Sequence, residues 1–138
     1  MSLNQAEEKQ IGFSITSEQA YDVATKKAMV KNLLLGTEIN SQDQIITPST
    51  KFSRTDEQIY AVAQLQGVPA STQIKGSWKL LSTNEVLGSF VTAFSGGGYM
   101  PFKLTLEQAG RTVWPKGNYL FSLFVDNLEV ATKNFSIS

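Results

Sequence analysis

From residue 51 onward, apolar and polar residues alternate in short runs separated by turn residues. In the run 58–65, Ile59, Ala61, Ala63 and Leu65 share one parity, and a period of two puts them on one face of a strand. The same pattern predicts strands over 74–80, 86–94, 100–106, 119–125 and 128–137. Gly67-Val68-Pro69 reads as a break and Ser82-Thr83-Asn84 as a turn. Gly96-Gly97-Gly98 reads as a flexible loop tip, and Trp114-Pro115-Lys116-Gly117 as a corner. Asp126-Asn127 carries the signal of a two-residue type I′ hairpin. The closing run changes parity: Leu128 and Val130 share one phase, Phe135 and Ile137 the other. One face holds both pairs only if a bulge or bend falls between Val130 and Asn134.

The first fifty residues follow another pattern. Residues 1–10 are polar and read as a disordered tail, and Ile11, Phe13 and Ile15 alternate as a short strand would. Thr16 and Gln19 stand at capping-box spacing. Ala20, Val23, Ala24, Val30 and Leu34 then form a stripe at helical spacing, which predicts a helix over 17–35 ending near Gly36. A strand over 30–35 is the alternative, disfavoured by its low β-branched content. Residues 37–50, rich in Ser, Thr, Asn and Gln with Pro48, read as a connector. The expected organisation is a tail (1–10), a strand, helix and connector packed on the domain (11–50), and a β-domain (51–138).

Three features specify the kind of β-domain. Trp78 stands mid-strand where the third strand of an immunoglobulin-like fold keeps its core indole. Gly117-Asn118-Tyr119-Leu120-Phe121 has the form of a tyrosine corner, in which Tyr119 returns its hydroxyl to backbone in the preceding connection. Phe121 occupies the place of an antibody domain's second cysteine, and Ala61 or Ala63 that of the first. The expectation is a mainly β, immunoglobulin-like antiparallel sandwich of about seven strands with one N-terminal helix, held by packing without a disulfide.

Residues 52–137 also resemble a poorly characterised group of bacterial immunoglobulin-like domains, often found in exported or lipid-anchored proteins. The resemblance rests on Phe52 before Asp56-Glu57-Gln58-Ile59-Tyr60, on Gly67-x-Pro69 and on Gly76-Ser77-Trp78. It continues through Trp114-Pro115-Lys116-Gly117-Asn118-Tyr119 and Asn134-Phe135-Ser136-Ile137. It implies a fold and a periplasmic or cell-surface location, and no catalytic residues. Strand order is also similar to that of sandwich-type bacterial proteinase inhibitors. Residues 1–10 carry no hydrophobic leader. Met1-Ser2-Leu3 reads as an expression-vector start, so the expectation is a periplasmic or cell-surface bacterial domain with its leader removed, with a cytoplasmic one as the alternative.

Composition narrows the chemistry. The chain has 138 residues, enough for one full core, and is 41% hydrophobic and 17% charged. Twelve basic residues balance twelve acidic ones. Nucleic-acid binding would want a basic excess, and Lys26, Lys27 and Lys31 read as a solvated helix face. No run is long enough for a membrane-spanning helix. There is neither histidine nor cysteine, which removes thiol nucleophiles, Ser-His-Asp catalysis and the usual zinc sites. Asp56-Glu57 point to opposite faces of a strand, and Glu18 with Asp22 suits a helix start. Asp126, Asn127 and Glu129 offer oxygens to calcium, but a hairpin turn already accounts for the first two. The sequence therefore points to a non-enzymatic module without a cofactor.

That leaves surfaces. Trp78 and Leu80 share the core parity with Tyr119, Phe121, Leu123 and Val125, so Leu81, Leu120 and Phe124 point outward and form an apolar patch. The N-terminal helix, a second copy or a separate protein would cover it. The segment 94–101 offers a protruding loop for proteinase inhibition. Tyr99 and Trp114 offer aromatic platforms for a carbohydrate, or else plug the ends of the sandwich. Protein–protein contact or self-association is the expected mode of action, with inhibition and carbohydrate binding as alternatives.

Overall fold

The computed structural model describes residues 17–138, with side chains from residue 20 onward. The strand predicted over 11–15 and the Thr16–Gln19 cap lie outside that description. In chain order the elements are α1 (Ser17–Ala28), β1 (Val30–Gly36), β2 (Lys51–Phe52), β3 (Gln58–Leu80), β4 (Glu85–Thr105), β5 (Gly117–Val125) and β6 (Leu128–Ile137). The chain is mainly β and immunoglobulin-like, as its alternation predicts, with six strands among the described residues.

The predicted helix stops seven residues early. Residues 30–36 form β1, antiparallel to β3, with Leu33 opposite Ala63 and Leu35 opposite Ala61. Leu33 and Leu35 enter the core from alternate positions, which a helix would send in different directions. The Met29 carbonyl accepts from Gln66 N at 2.8 Å and fixes the start of β1. Pairing and burial thus outweigh the weak local preference of a Lys-Asn-Leu-Leu-Leu run. The helical stripe is not realised either: Ala20 and Ala24 are exposed, Val23 is half-buried, and Tyr21 is 75% exposed. Lys26 is tied to Asp22 at 2.8 Å, whereas Lys31 lies on β1.

The strands join in one curled sheet in the order β1-β3-β5-β6-β2, with β4 along the other side of β3. In β3, residues 60–65 pair with β1 and 58–65 with 98–105 of β4, while 74–80 pair with β5 and 72–80 with 85–94 of β4. The two halves of β3 thus lie in different layers. The bend between them falls at Gly67 (φ 70°) and Ser71 (φ 66°). It is fastened by Thr72 Oγ1 donating to the Pro69 carbonyl at 2.7 Å and by Gln73 N donating to Asp126 Oδ1 at 2.9 Å. The predicted break at 67–69 is therefore a bend inside a 23-residue strand.

The layers meet over an aromatic core. Phe102 from one half lies 5.5 Å from Phe121 of the other, and Trp78 lies 4.7 Å from Phe121 and 5.9 Å from Phe135. Gly76 permits this approach, since a Cβ there would stand 2.6 Å from Phe102 and 2.8 Å from Phe121. Trp78 and Phe121 are fully buried, as are Ala61 and Ala63. Asp126 and Asn127 both have positive φ, 48° and 70°, as a type I′ turn requires. The parity change in β6 is resolved by a bulge: Leu123 pairs with Ala131 and Phe124 with Glu129, leaving Val130 as the extra residue. Val130, Phe135 and Ile137 are all buried as a result.

Candidate functional site

At the β4–β5 corner, Tyr119 is buried and donates its hydroxyl to the Pro115 carbonyl at 2.5 Å, so the tyrosine corner is formed. Burial raises its pKa above the ordinary tyrosine value. The Arg111 charge opposes that rise, Glu85 adds to it, and Arg54 opposes it. Trp114 shares this corner and is fully buried. Its Nε1 donates to the Asp56 carbonyl at 2.6 Å, its backbone N donates to Arg54 O, and its carbonyl accepts from Arg54 Nε. It plugs the end of the sandwich, because closing over the indole removes a large apolar surface from water while the N–H still finds an acceptor. As an exposed sugar platform Trp114 is ruled out by that burial.

The segment 94–101 is not a protruding loop. It lies inside β4, with Phe94 opposite Thr72, Gly96 opposite Val68, Gly98 opposite Leu65 and Tyr99 opposite Gln64. Gly96 (φ 79°) and Gly98 (φ 141°) let β4 follow the bend of β3. A reactive loop for proteinase inhibition is therefore absent at this position.

Leu81, Leu120 and Phe124 do share the outer face of the β3–β5 layer. Leu120 pairs with Lys79, Phe124 with Lys75, and Leu81 N donates to Asn118 O. Leu81 is 36% exposed, but Leu120 and Phe124 are half-buried. Lys75 Nζ stands 5.0 Å from the Phe124 ring centroid, so a lysine stem covers part of the patch.

Tyr99 belongs to a different site. On the outer face of the other layer, Asn32, Gln64 and Tyr99 form one cross-strand row, and Leu34, Val62 and Pro101 form the next. The connection 37–50 folds beside them. Ile39 bridges to Ile45, Ile46 N donates to Glu38 O at 3.1 Å, and Asn40 N donates to Gln44 O at 2.9 Å. Asn40 Oδ1 accepts from Gln42 N and Gln44 N, and Asn40 Nδ2 donates to Gln44 Oε1. This small hairpin walls a groove of about 450 Å³ whose lining includes Asn32, Leu34, Gln44, Ile45, Gln64 and Tyr99. The sequence reading missed Asn32 and Leu34 because it placed them on a helix, and Asn40 and Gln44 because they stood in a connector.

A further surface is an edge. β4 runs 21 residues and pairs with β3 alone among the described residues. Between Glu85 and Lys103 it carries no charged side chain. Val86 and Val91 on it are 54% and 56% exposed. The Asp56-Glu57 pair is structural on the Asp56 side, whose Oδ2 accepts from Ser53 N at 2.8 Å. Among the described residues, no three acidic side chains converge to hold a metal, and no helix is long and apolar enough to cross a membrane.

No protein-family model matches the chain, and no curated protein matches it. Solved structures do. An immunoglobulin-like protein from Pseudomonas aeruginosa aligns over 78% of this chain and 92% of its own at 13% identity, with a TM-score of 0.48. The alkylpurine DNA glycosylase AlkC from Pseudomonas fluorescens, bound to DNA containing an abasic-site analogue, aligns at 12% identity and a TM-score of 0.51. That match covers 79% of this chain but 30% of AlkC. The CARDB domain of a Pyrococcus furiosus protein, in complex with di-metal ions, matches 80% of this chain and 94% of its own at 10% identity, with a TM-score of 0.43. At such identities the likeness concerns fold alone, and the immunoglobulin-like β fold of this chain rests on its own strand arrangement and tyrosine corner.

Proposed function

We propose that this domain is a non-enzymatic module that acts through protein–protein contact, and that the contact is strand pairing along β4. The observation that carries the reading is the contrast between the two arms of that edge. Arm 98–105 holds Pro101 and Lys103, the residues that keep sheet edges from pairing. Arm 85–94 has no proline and no charge beyond Glu85, and it exposes Val86 and Val91. Unpaired backbone N–H and C=O groups on such an arm form a template for an incoming strand.

The occupant best suited is the same arm of a second copy. Antiparallel pairing about a two-fold axis between Ser89 and Phe90 sets Glu85 opposite Phe94, so no like charges face each other. A catalytic role finds no support in the residue types: the chain has no histidine or cysteine to supply a base or thiolate at neutral pH.

Sedimentation of the wild type over a concentration series, beside Val91→Lys, tests this. A lysine on the exposed side of the arm opposes pairing without entering the core. The wild type should shift toward dimer as concentration rises. The variant should stay monomeric with an unchanged melting temperature. A wild type that is monomeric throughout, or a variant that dimerises equally well, would remove the proposal.

A further inference from the structure

The groove beside Tyr99 lies on a sheet face, away from the 85–94 arm, and stands independently of the pairing proposal. Its lining has an unusual chemistry for a surface cleft: carboxamides, one phenol and aliphatic side chains, with no charged group. Four carboxamides contribute, from Asn32, Asn40, Gln44 and Gln64. Three are already held in place. Asn40 is fastened to Gln44 as described, and Asn32 Oδ1 accepts from Leu33 N at 3.0 Å. Gln64 and Tyr99 line the groove half-buried, and neither side chain makes a hydrogen bond among the described residues.

We infer that this groove binds a neutral, hydroxyl-rich ligand, namely a saccharide unit. A carboxamide offers a donor and an acceptor on one plane, and adjacent sugar hydroxyls each need both. The Tyr99 ring, with Leu34, Val62, Ile45 and Ile46, supplies apolar surface for the C–H face of such a ring. A charged ligand would lose hydration with no counter-charge in the lining, and an aliphatic one would strand the amides. The volume of about 450 Å³ falls in the usual range of small-ligand sites. An extended peptide shares the amide chemistry, but the 38–46 hairpin walls the groove on one side and suits a compact ligand better.

The site was built by two features that keep its wall in place. Gly36 leaves room for Ile45, whose Cγ2 would stand 2.7 Å from any Cβ there. Asp43, at φ 63°, turns the hairpin so that Asn40 and Gln44 face each other.

The test is a titration of the full chain followed by backbone amide shifts. The probes are a panel of neutral disaccharides (maltose, cellobiose, lactose and di-N-acetylchitobiose), the sugar acid glucuronate and a capped tetra-alanine peptide. At least one neutral disaccharide should give saturable shifts centred on Asn32, Asn40, Gln44, Gln64 and Tyr99. Gln64→Ala and Tyr99→Ala should each weaken that binding by roughly tenfold, the loss expected for one well-placed contact. Tyr99→Phe should weaken it less, and it keeps the ring should the alanine variant fail to fold. Lys103→Ala, outside the groove, should leave binding unchanged. The inference is overturned if no neutral disaccharide saturates by the millimolar range, if the shifts map elsewhere, or if only glucuronate or the peptide binds.

Discussion

Tyr119 joins two kinds of physics in one side chain. Its ring stacks on Phe135 at 5.0 Å, while its hydroxyl satisfies a carbonyl four residues back. Tyr119→Phe keeps the ring and removes the hydrogen bond, so it should lower stability by about 0.5–1.5 kcal/mol at neutral pH. Alkaline behaviour should move the other way. Burial raises the folded-state pKa above the unfolded value of about 10, so the folded protein holds this proton more tightly. The contribution is complete below the unfolded pKa and is lost as pH climbs toward the folded one. Chemical denaturation between neutral and strongly alkaline pH should therefore show a smaller alkaline loss for Tyr119→Phe than for wild type. Tyr119 and Trp78 were legible in the sequence because each sits in a local pattern that fixes its role. For Trp114 the sequence offered both an end plug and an exposed platform, and the plug is what forms; the choice depends on Arg54 and Asp56, which are distant in sequence. Trp78 carries a feature no pattern foretold, an indole N–H buried without a partner among the described residues. Gly76, too, is explained only by the rings of Phe102 and Phe121 that close over it.

Among the elements, β1 and β6 mark the reach of periodicity. In β6 the clash between two parities demanded an extra residue, and the sheet contains it at Val130. Local sequence held the whole argument, because a strand cannot change face without a bulge. In β1 the same logic had too little to work on. Seven residues with three consecutive leucines satisfy a helical stripe and a buried strand alike, and the pairing with 60–65 of β3 decides between them. The groove was illegible for this reason, since two of its walls stand on β1 and on the connector that β1 leads into. Gly36, at the end of β1, offers a direct test. In Gly36→Ala the new Cβ would press on Ile45 Cγ2 and lie 3.2 Å from the Thr47 carbonyl. The 38–46 hairpin should be pushed from the sheet, with a loss of about 1–3 kcal/mol. Faster hydrogen exchange at the Gln44 and Ile46 amides would report it, and unchanged exchange would show that the hairpin does not depend on this contact.

For the molecule as a whole, alternation and turn chemistry were enough to give a mainly β, immunoglobulin-like fold without a disulfide. They predicted four separate strands where β3 and β4 run as two long ones, because glycine and proline mark a bend and an end in the same way. Distinguishing the two requires the partner strand: the bend survives as strand only because β3 and β4 curve together. The outer patch of Leu81, Leu120 and Phe124 was placed on the correct face by parity. The lysine that half covers it was not foreseen, because cross-strand neighbours depend on register. The free edge of β4 is likewise a property of the assembled sheet.

The pairing of β3 with β4 also bears on how quickly the chain finds its native state. In most sandwiches the two layers come together through contacts between distant segments, which is slow. Here one hairpin, turning at 81–84, belongs to both layers. Zipping outward from that turn, nearby residues register first, and the bend at 66–72 then carries the same ladder into the second layer. β5 and β6 form a second local hairpin, whereas docking β5 and β1 on β3 joins segments further apart in the chain. Stopped-flow kinetics should separate the two classes of contact. Leu87→Ala, near the turn, should slow refolding, whereas Leu33→Ala in β1 should chiefly speed unfolding. Equal slowing of refolding by both would mean that the rate-limiting step already includes the distant strand.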